Sequence, residues 1–181
     1  NDRIKSSDLL VRPKRSGYFI GENVEADVRA LDGNALGSER FSIEASPGSG
    51  FAGQVYRAMP EKGVIYDASR DSEEKSPVAI KVLRPKSKWK EAFRDLLFKM
   101  SYQTSFAPRL REEALRSALI WQQLFRVATN IELGTDSAVA KPFGYYWDGE
   151  VESFAGIHEW VSGRSPRYEA DDKMVLRRFG K

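Results

Sequence analysis

Alternating apolar and polar residues in the first third of the chain predict antiparallel strands. From Val24 to Ala30 every second residue is apolar, a period of two that is typical of a half-buried strand. Turn residues at 32–34 lead into a second alternating segment at about 39–46. Gln54 to Met59 is then the returning strand of a hairpin whose turn is rich in glycine.

A further strand is predicted from Val78 to Leu83, after a charged loop at 60–77. Its alternation places the β-branched residues at 78, 80 and 82 on one face and Ala79, Lys81 and Leu83 on the other. We therefore expect Ala79 and Lys81 to face a ligand that lies under the glycine-rich turn.

Two helices are predicted in the middle of the chain. The first, at 88–100, has an apolar stripe formed by Trp89, Phe93, Leu96, Leu97 and Met100. We expect it to pack on its own domain, and a docking surface for another domain or a membrane is the alternative. The second runs from Leu110 to Thr129, and Asn130 and Gly134 suit its end. On this helix Ala114, Ala118, Trp121 and Phe125 share one face, and the side that carries Glu113, Ser117, Ile120 and Leu124 suits an inward-facing edge.

The last part of the chain predicts a second hairpin. Residues 139–147 form one strand, Asp148 and Gly149 the turn, and residues 153–161 the other strand. A break at 162–166 follows, and residues 168–179 begin another helix. Strands, helices and a hairpin in this order predict an α+β protein with an antiparallel sheet.

Composition narrows the function classes. The chain of 181 residues lacks cysteine, which excludes disulfides and thiolate metal sites, and its single histidine excludes a two-histidine metal site. A net charge of +3 favours anionic partners only mildly, so we expect no nucleic-acid partner. No signal peptide or membrane-spanning run is visible. We therefore expect a cytoplasmic protein, with membrane contact left open but not predicted.

A glycine-rich motif carries the candidate chemistry. Gly48, Ser49, Gly50, Phe51, Ala52, Gly53 and Val55 belong to a G-x-G-x-x-G-x-V pattern, followed by V-A-I-K ending in Lys81. Glycines let backbone amides approach phosphates, and a lysine adds a mobile positive charge. A dinucleotide fold would need a helix after the loop, but strand-like sequence follows Gly53. A phosphate loop of the Walker type would need Gly-Lys-Ser/Thr, and an ordinary glycine-rich hairpin turn remains the alternative.

These motifs resemble the N-terminal lobe of the protein kinase-like superfamily over about residues 40–166. The resemblance implies a twisted antiparallel sheet of about five strands, an additional N-terminal strand, a helix equivalent to αC and an additional amphipathic helix. It also implies three segments. Residues 1–38 form an N-terminal extension, 39–166 the lobe, and 167–181 the start of a truncated segment after the hinge.

The resemblance also assigns roles. Lys81 would hold the α- and β-phosphates of ATP and pair with a glutamate of the second helix. We predict that this glutamate is Glu113, with Glu112 as the alternative. The other interpretation of either residue is a surface carboxylate at a helix N-terminus, which the helix dipole favours. Val55 and Ala79 would enclose adenine. The Glu159 carbonyl and Val161 amide would hydrogen-bond it, and His158 would stand behind it.

A finer similarity links the chain to the UbiB/AarF-type atypical kinases, through Gln54 to Ala58, Lys81 to Pro85, Glu113-Ala114 and Glu159 to Gly163. The chain departs from that group in having Gly48 and Gly50 where an alanine-rich loop is typical. It also has no H-R-D and no D-F-G motif, so the catalytic base and magnesium ligands are missing.

The chain is accordingly expected to be part of a longer protein. We expect the ATP-binding lobe of a kinase-like phosphotransferase, completed by a C-terminal lobe that would supply the Mg²⁺ ligands. ATP and ADP are the expected ligands, and the chain alone should be inactive. A pseudokinase-type module that binds nucleotide and acts by contacts alone is the alternative function.

Overall fold

The computed structural model describes residues 15–50, 53–66, 76–84, 87–103, 110–134 and 139–162. Within these ranges lie six strands and two helices. In chain order they are β1 (Asn23–Arg29), β2 (Ala35–Ser49), β3 (Gln54–Pro60), β4 (Val78–Val82), α1 (Lys88–Tyr102), α2 (Glu112–Leu133), β5 (Pro142–Asp148) and β6 (Ser153–Glu159). The predicted helix at 168–179 lies outside the described residues.

The six strands form a closed antiparallel barrel in the order β1-β2-β3-β4-β6-β5. The expectation of a twisted sheet of the kinase N-lobe type, with a helix equivalent to αC, is therefore wrong. The predicted extension strand is the cause of the difference, because β1 pairs with β2 along its whole length and also meets β5 at Arg29 and Tyr145. A strand with partners on both sides leaves the sheet without a free edge.

The closure depends on a close approach between β1 and β5. Val24, Ala26 and Val28 of β1 are buried and must lie over the same core as the other strands. At the contact point, a Cβ atom added to Gly144 would collide with the carbonyl oxygen of Arg29. Glycine is thus the residue that lets the first and fifth strands meet.

The inside of the barrel holds the main core. Aromatic and β-branched side chains from every strand fill it, among them Phe41, Ile43, Tyr56, Ile80 and Ile157. The predicted alternation of β4 is confirmed, since Val78, Ile80 and Val82 are fully buried while Lys81 is exposed on the outer face. Period-two patterning therefore identified which residues point outward and can meet a ligand.

Helix α2 packs on the outside of β5 and β6. It touches the barrel through Leu115 and Leu119, which form a second small core with Tyr145. The predicted inward-facing edge is wrong, because Glu113, Ile120 and Leu124 are exposed. On the other predicted face, Trp121 and Phe125 are exposed as well. The helix continues four residues beyond the predicted Thr129, to Leu133. The role expected for Gly134 is confirmed, since it ends the helix in a left-handed conformation and its N–H donates to the Asn130 carbonyl.

Helix α1 is attached to the barrel by polar rather than apolar contacts. Its buried residues are Glu91 and Arg94. The expectation that its apolar stripe packs on its own domain is wrong, because Trp89, Leu96 and Met100 are exposed. In the described part of the chain, neither helix is long and apolar enough to cross a bilayer.

Candidate functional site

A row of residues crosses the outer face of the barrel below the glycine-rich turn. Gly48 of β2 is paired with Val55 of β3, Val55 with Lys81 of β4, and Lys81 with Gly156 of β6. Directly paired residues of antiparallel strands point to the same face. The motif glycine, the expected adenine contact and the expected phosphate contact therefore share one surface.

The glycine turn is closed by a hydrogen bond in which the Gly50 N–H donates to the Gly53 carbonyl at 2.8 Å. The fold itself requires glycine at position 53, because a Cβ atom there would collide with the Val82 carbonyl oxygen. At Gly48 and Gly50 no such collision occurs with the residues that the structure describes, since an added Cβ atom would meet none of their heavy atoms within 4 Å. Ser49 is exposed at the end of β2, and Phe51 and Ala52 lie outside the described residues.

Lys81 lies at the mouth of a cavity of about 290 Å³ between the barrel and α2. The barrel side is formed by Lys81, Leu83, Gly156 and His158. The helix side is formed by one face of α2, whose lining residues are Ala114, Leu115, Ala118, Leu119 and Gln122. The cavity thus joins the expected phosphate lysine to the only histidine of the chain.

His158 is held in a defined orientation at the back of this cavity. The Gln122 side-chain nitrogen donates to the Ala140 carbonyl at 2.9 Å and lies 3.2 Å from His158 Nδ1. Since the amide nitrogen is a donor, Nδ1 accepts and the neutral ring carries its proton on Nε2. A Cβ atom at Gly156 would lie 2.9 Å from Nε2, so glycine makes room for the ring.

The imidazole of His158 is neutral over the physiological pH range. Burial and, secondly, the positive charge of Lys81 lower its pKa to about 4. A histidine that stays uncharged at the back of a cavity fits the predicted position behind a ligand.

The two glutamates at the start of α2 occupy different positions. Glu113, the predicted partner of Lys81, is exposed. Glu112 accepts a 2.7 Å hydrogen bond from the Tyr145 hydroxyl and lies 3.7 Å from an Arg29 nitrogen. Among the described residues, no ion pair joins Lys81 to Glu112 or Glu113.

The remaining predicted contacts lie at the end of β6 and on the neighbouring strand β4. Ala79 is paired with His158, half-buried on the same outer face. The Glu159 N–H donates to the Lys141 carbonyl at 2.7 Å, and its carboxylate accepts from the Lys141 N–H at 3.0 Å. Val161 follows the strand and is exposed. The structure thus brings Val55, Ala79, Lys81 and His158 together on the outer face and anchors Glu159 beside them.

Sequence reasoning missed three residues that shape the site: Gln122, Tyr145 and Gly156. Gln122 orients His158, Tyr145 holds Glu112, and Gly156 leaves space for the imidazole. Of the three, only Gly156 has a signal in the sequence, because it is a glycine two positions before His158 and so lies on the same face of the strand. Helix-to-strand contacts such as those of Gln122 and Tyr145 have no local signature.

In the described parts of the chain, no group of three or more His, Cys, Asp or Glu residues could hold a metal ion. Comparisons of the chain with protein-family models, with curated proteins and with solved structures find no match.

Proposed function

We propose that the chain binds ATP or ADP on the outer face of the barrel, below the glycine turn. The observation that carries the proposal is the position of Gly48 and Gly50, where an added Cβ atom would meet no heavy atom of the described residues within 4 Å. Neither residue has the positive φ that would otherwise favour glycine. A ligand that approaches the turn from outside would explain glycine at both positions, and phosphate oxygens fit such a ligand.

The positive charge for the phosphates comes from Lys81. It is exposed and lies in the same row as Gly48 and Val55, so its ammonium group can reach a ligand beneath the turn. Val55 and Ala79 offer half-buried apolar surface on the same face for the adenine ring. The residues present therefore suit a nucleotide with a polyphosphate chain.

We further propose that this nucleotide site serves an ATP-dependent phosphotransferase. The chain's own residues bind and orient the nucleotide, with Lys81 neutralising phosphate charge. Its catalytic base and Mg²⁺ ligands would come from a further C-terminal domain. Bound Mg²⁺ would neutralise charge on the transferred phosphate.

The second candidate function is a regulatory module that binds nucleotide without chemistry. It is favoured by the contacts of Glu112, which in this structure holds Tyr145 rather than Lys81. The two functions differ in a protein that includes the C-terminal domain. Phosphoryl transfer from ATP by that protein supports the first, and saturable binding without turnover supports the second.

The contribution of Gly48 and Gly50 to ATP binding is tested by calorimetric titration of ATP into the chain and into a Gly48→Ala, Gly50→Ala variant. The added methyl groups keep the amides away from phosphates, so we expect affinity to fall roughly tenfold with an unchanged unfolding midpoint. Gly149→Ala, in the β5–β6 turn, is the matched control and should bind normally. Equal affinity in all three proteins would refute the proposed site.

A further inference from the structure

The outward face of α1 combines exposed apolar side chains with lysines. Trp89 is 77% exposed, Leu96 53% and Met100 73%, although they form one helical stripe. Large exposed apolar patches on a folded protein mark a binding surface. The polar face of α1 is turned to the barrel instead, which is the reverse of an ordinary surface helix.

This orientation is fixed by two polar anchors on the inward side of α1. Glu91 lies 3.3 Å from an Arg84 nitrogen, and Arg84 also donates to the Val151 carbonyl at 2.8 Å. Arg94 is fully buried and approaches the Leu83 carbonyl. Because these anchors bind the helix by its polar side, the stripe must point away from the barrel.

Lysines border the stripe on both sides. At 3.6 residues per turn, Lys88 and Lys99 lie about 100° from Trp89 on one flank, and Lys90 lies about 100° away on the other. All three lysines are exposed. The two acidic residues of α1, Glu91 and Asp95, are both paired with arginines. The outward side of the helix therefore carries three positive charges around an apolar centre.

We propose that α1 lies flat on a membrane surface rich in anionic phospholipids. Its apolar stripe enters the boundary between headgroups and acyl chains, and the flanking lysines reach lipid phosphates. Charge complementarity favours this partner, since an apolar helix with cations along both edges matches a negatively charged bilayer surface. The apolar stripe of α1 shares no residue with the proposed nucleotide site, whose residues lie on β2, β3, β4 and β6 and in the turn after β2.

The exposed face of α2 supplies the matched control. Trp121 is 70% exposed, close to the value for Trp89, yet no lysine occurs in α2. If apolar exposure alone drove membrane binding, the two tryptophans would contribute equally. If the lysine-flanked stripe is the binding surface, only Trp89 matters.

The test is sedimentation of the 181-residue chain with vesicles of phosphatidylglycerol and phosphatidylcholine, or of phosphatidylcholine alone. We expect binding to the anionic vesicles, weakened by salt, and at least tenfold weaker binding to the neutral ones. Trp89→Glu should abolish binding, while Trp121→Glu should retain it. Replacing Lys88, Lys90 and Lys99 by glutamine should weaken binding about fivefold for each lysine.

Thermal unfolding of each variant checks that a loss of binding is not a loss of folding. We expect unchanged unfolding midpoints, because all the substituted side chains are exposed. Equal binding to neutral and anionic vesicles, or equal effects of the Trp89 and Trp121 changes, would overturn the proposal. So would absence of vesicle binding together with self-association that Trp89→Glu abolishes, since α1 would then be a contact between two copies of the chain.

Discussion

The Tyr145 hydroxyl donates a 2.7 Å hydrogen bond to Glu112 and so ties the first turn of α2 to strand β5. Tyr145 is paired with Gly156, which is paired with Lys81, so the glutamate is anchored two strands away from the lysine. At about 4.8 Å per strand, the backbones of Tyr145 and Lys81 are roughly 10 Å apart. Tyr145 therefore holds Glu112, the alternative partner of Lys81, above β5.

Removing this hydroxyl should loosen the start of α2. We expect Tyr145→Phe to lower the free energy of unfolding by about 1 kcal/mol, because the partner carboxylate is partly exposed to water. Urea denaturation of Tyr145→Phe, Glu112→Ala and the double variant measures the coupling. Additive effects of the two single changes would show that the hydrogen bond contributes nothing.

The lowered pKa of His158 predicts sensitivity to acid. Its folded pKa of about 4 lies below the unfolded value near 6.5, so the unfolded chain binds the extra proton first. Stability is full above about pH 6.5 and should fall as the pH decreases towards 4, by on the order of 3 kcal/mol from this group. Denaturant unfolding across that pH range measures the loss.

His158→Gln provides the comparison, since it removes the titrating ring and should flatten this part of the pH profile. Because the chain has a single histidine, its NMR signal reports the titration without ambiguity. A midpoint near 6.5 in the folded protein would contradict the buried, neutral imidazole.

Buried tyrosines predict a second loss of stability in alkali. The Tyr18 hydroxyl bonds to both Tyr146 and Asp148 at 2.8 Å, and burial raises the pKa of Tyr18 and of Tyr146. Burial together with the Glu112 bond raises the pKa of Tyr145 to about 12. Since these folded pKa values exceed the unfolded value near 10, stability is full below pH 10 and falls as the pH rises beyond it.

The unfolding midpoint should therefore decrease above about pH 10, in step with tyrosinate absorbance. Tyr18→Phe removes one of the buried hydroxyls and should make this decrease shallower. Gradual tyrosine ionisation with an unchanged midpoint would show that these hydroxyls are accessible in the folded state.

Barrel closure is tested at Gly144. An added methyl group would press on the Arg29 carbonyl, so we expect Gly144→Ala to lower the free energy of unfolding by roughly 2–4 kcal/mol. Gly149→Ala serves as the control, because its methyl group would meet only Trp147 Nε1 at 3.7 Å, an ordinary contact. Equal stability of the two variants would mean that β1 does not pack against β5 as described.

The strands could be predicted from the sequence because alternation is local, and β4 shows both faces as expected. Closure could not, since it depends on a long-range contact at Gly144 that leaves no periodic signal. The orientation of α2 was ambiguous because apolar residues occur around the helix, so that Leu115 competes with Trp121 for the inward side. The stripe of α1 was recognised correctly, but buried arginine contacts decide which way it points.

In the candidate site too, features set by local strand patterning could be predicted, whereas features set by long-range contacts could not. Val55, Ala79 and Lys81 lie on strands whose register follows from alternation and hairpin pairing, so their common face could be predicted. Gly48 joins that face only after two register shifts in β2, between Ile43 and Gly48, which alternation does not predict. Whether a glutamate of α2 pairs with Lys81 could not be predicted, because it depends on how α2 packs over β5, where Tyr145 holds Glu112.

The most direct test of the proposed nucleotide site is a calorimetric titration of ADP, without Mg²⁺, into the chain, Lys81→Ala and Lys62→Ala. Lys62 is the control because it carries the same charge but lies against Glu25, outside the row of Gly48, Val55 and Lys81. The account predicts saturable binding to the chain and to Lys62→Ala, and at least about tenfold weaker binding to Lys81→Ala. Equal affinities in the three proteins, or no binding to the unmodified chain, would contradict it.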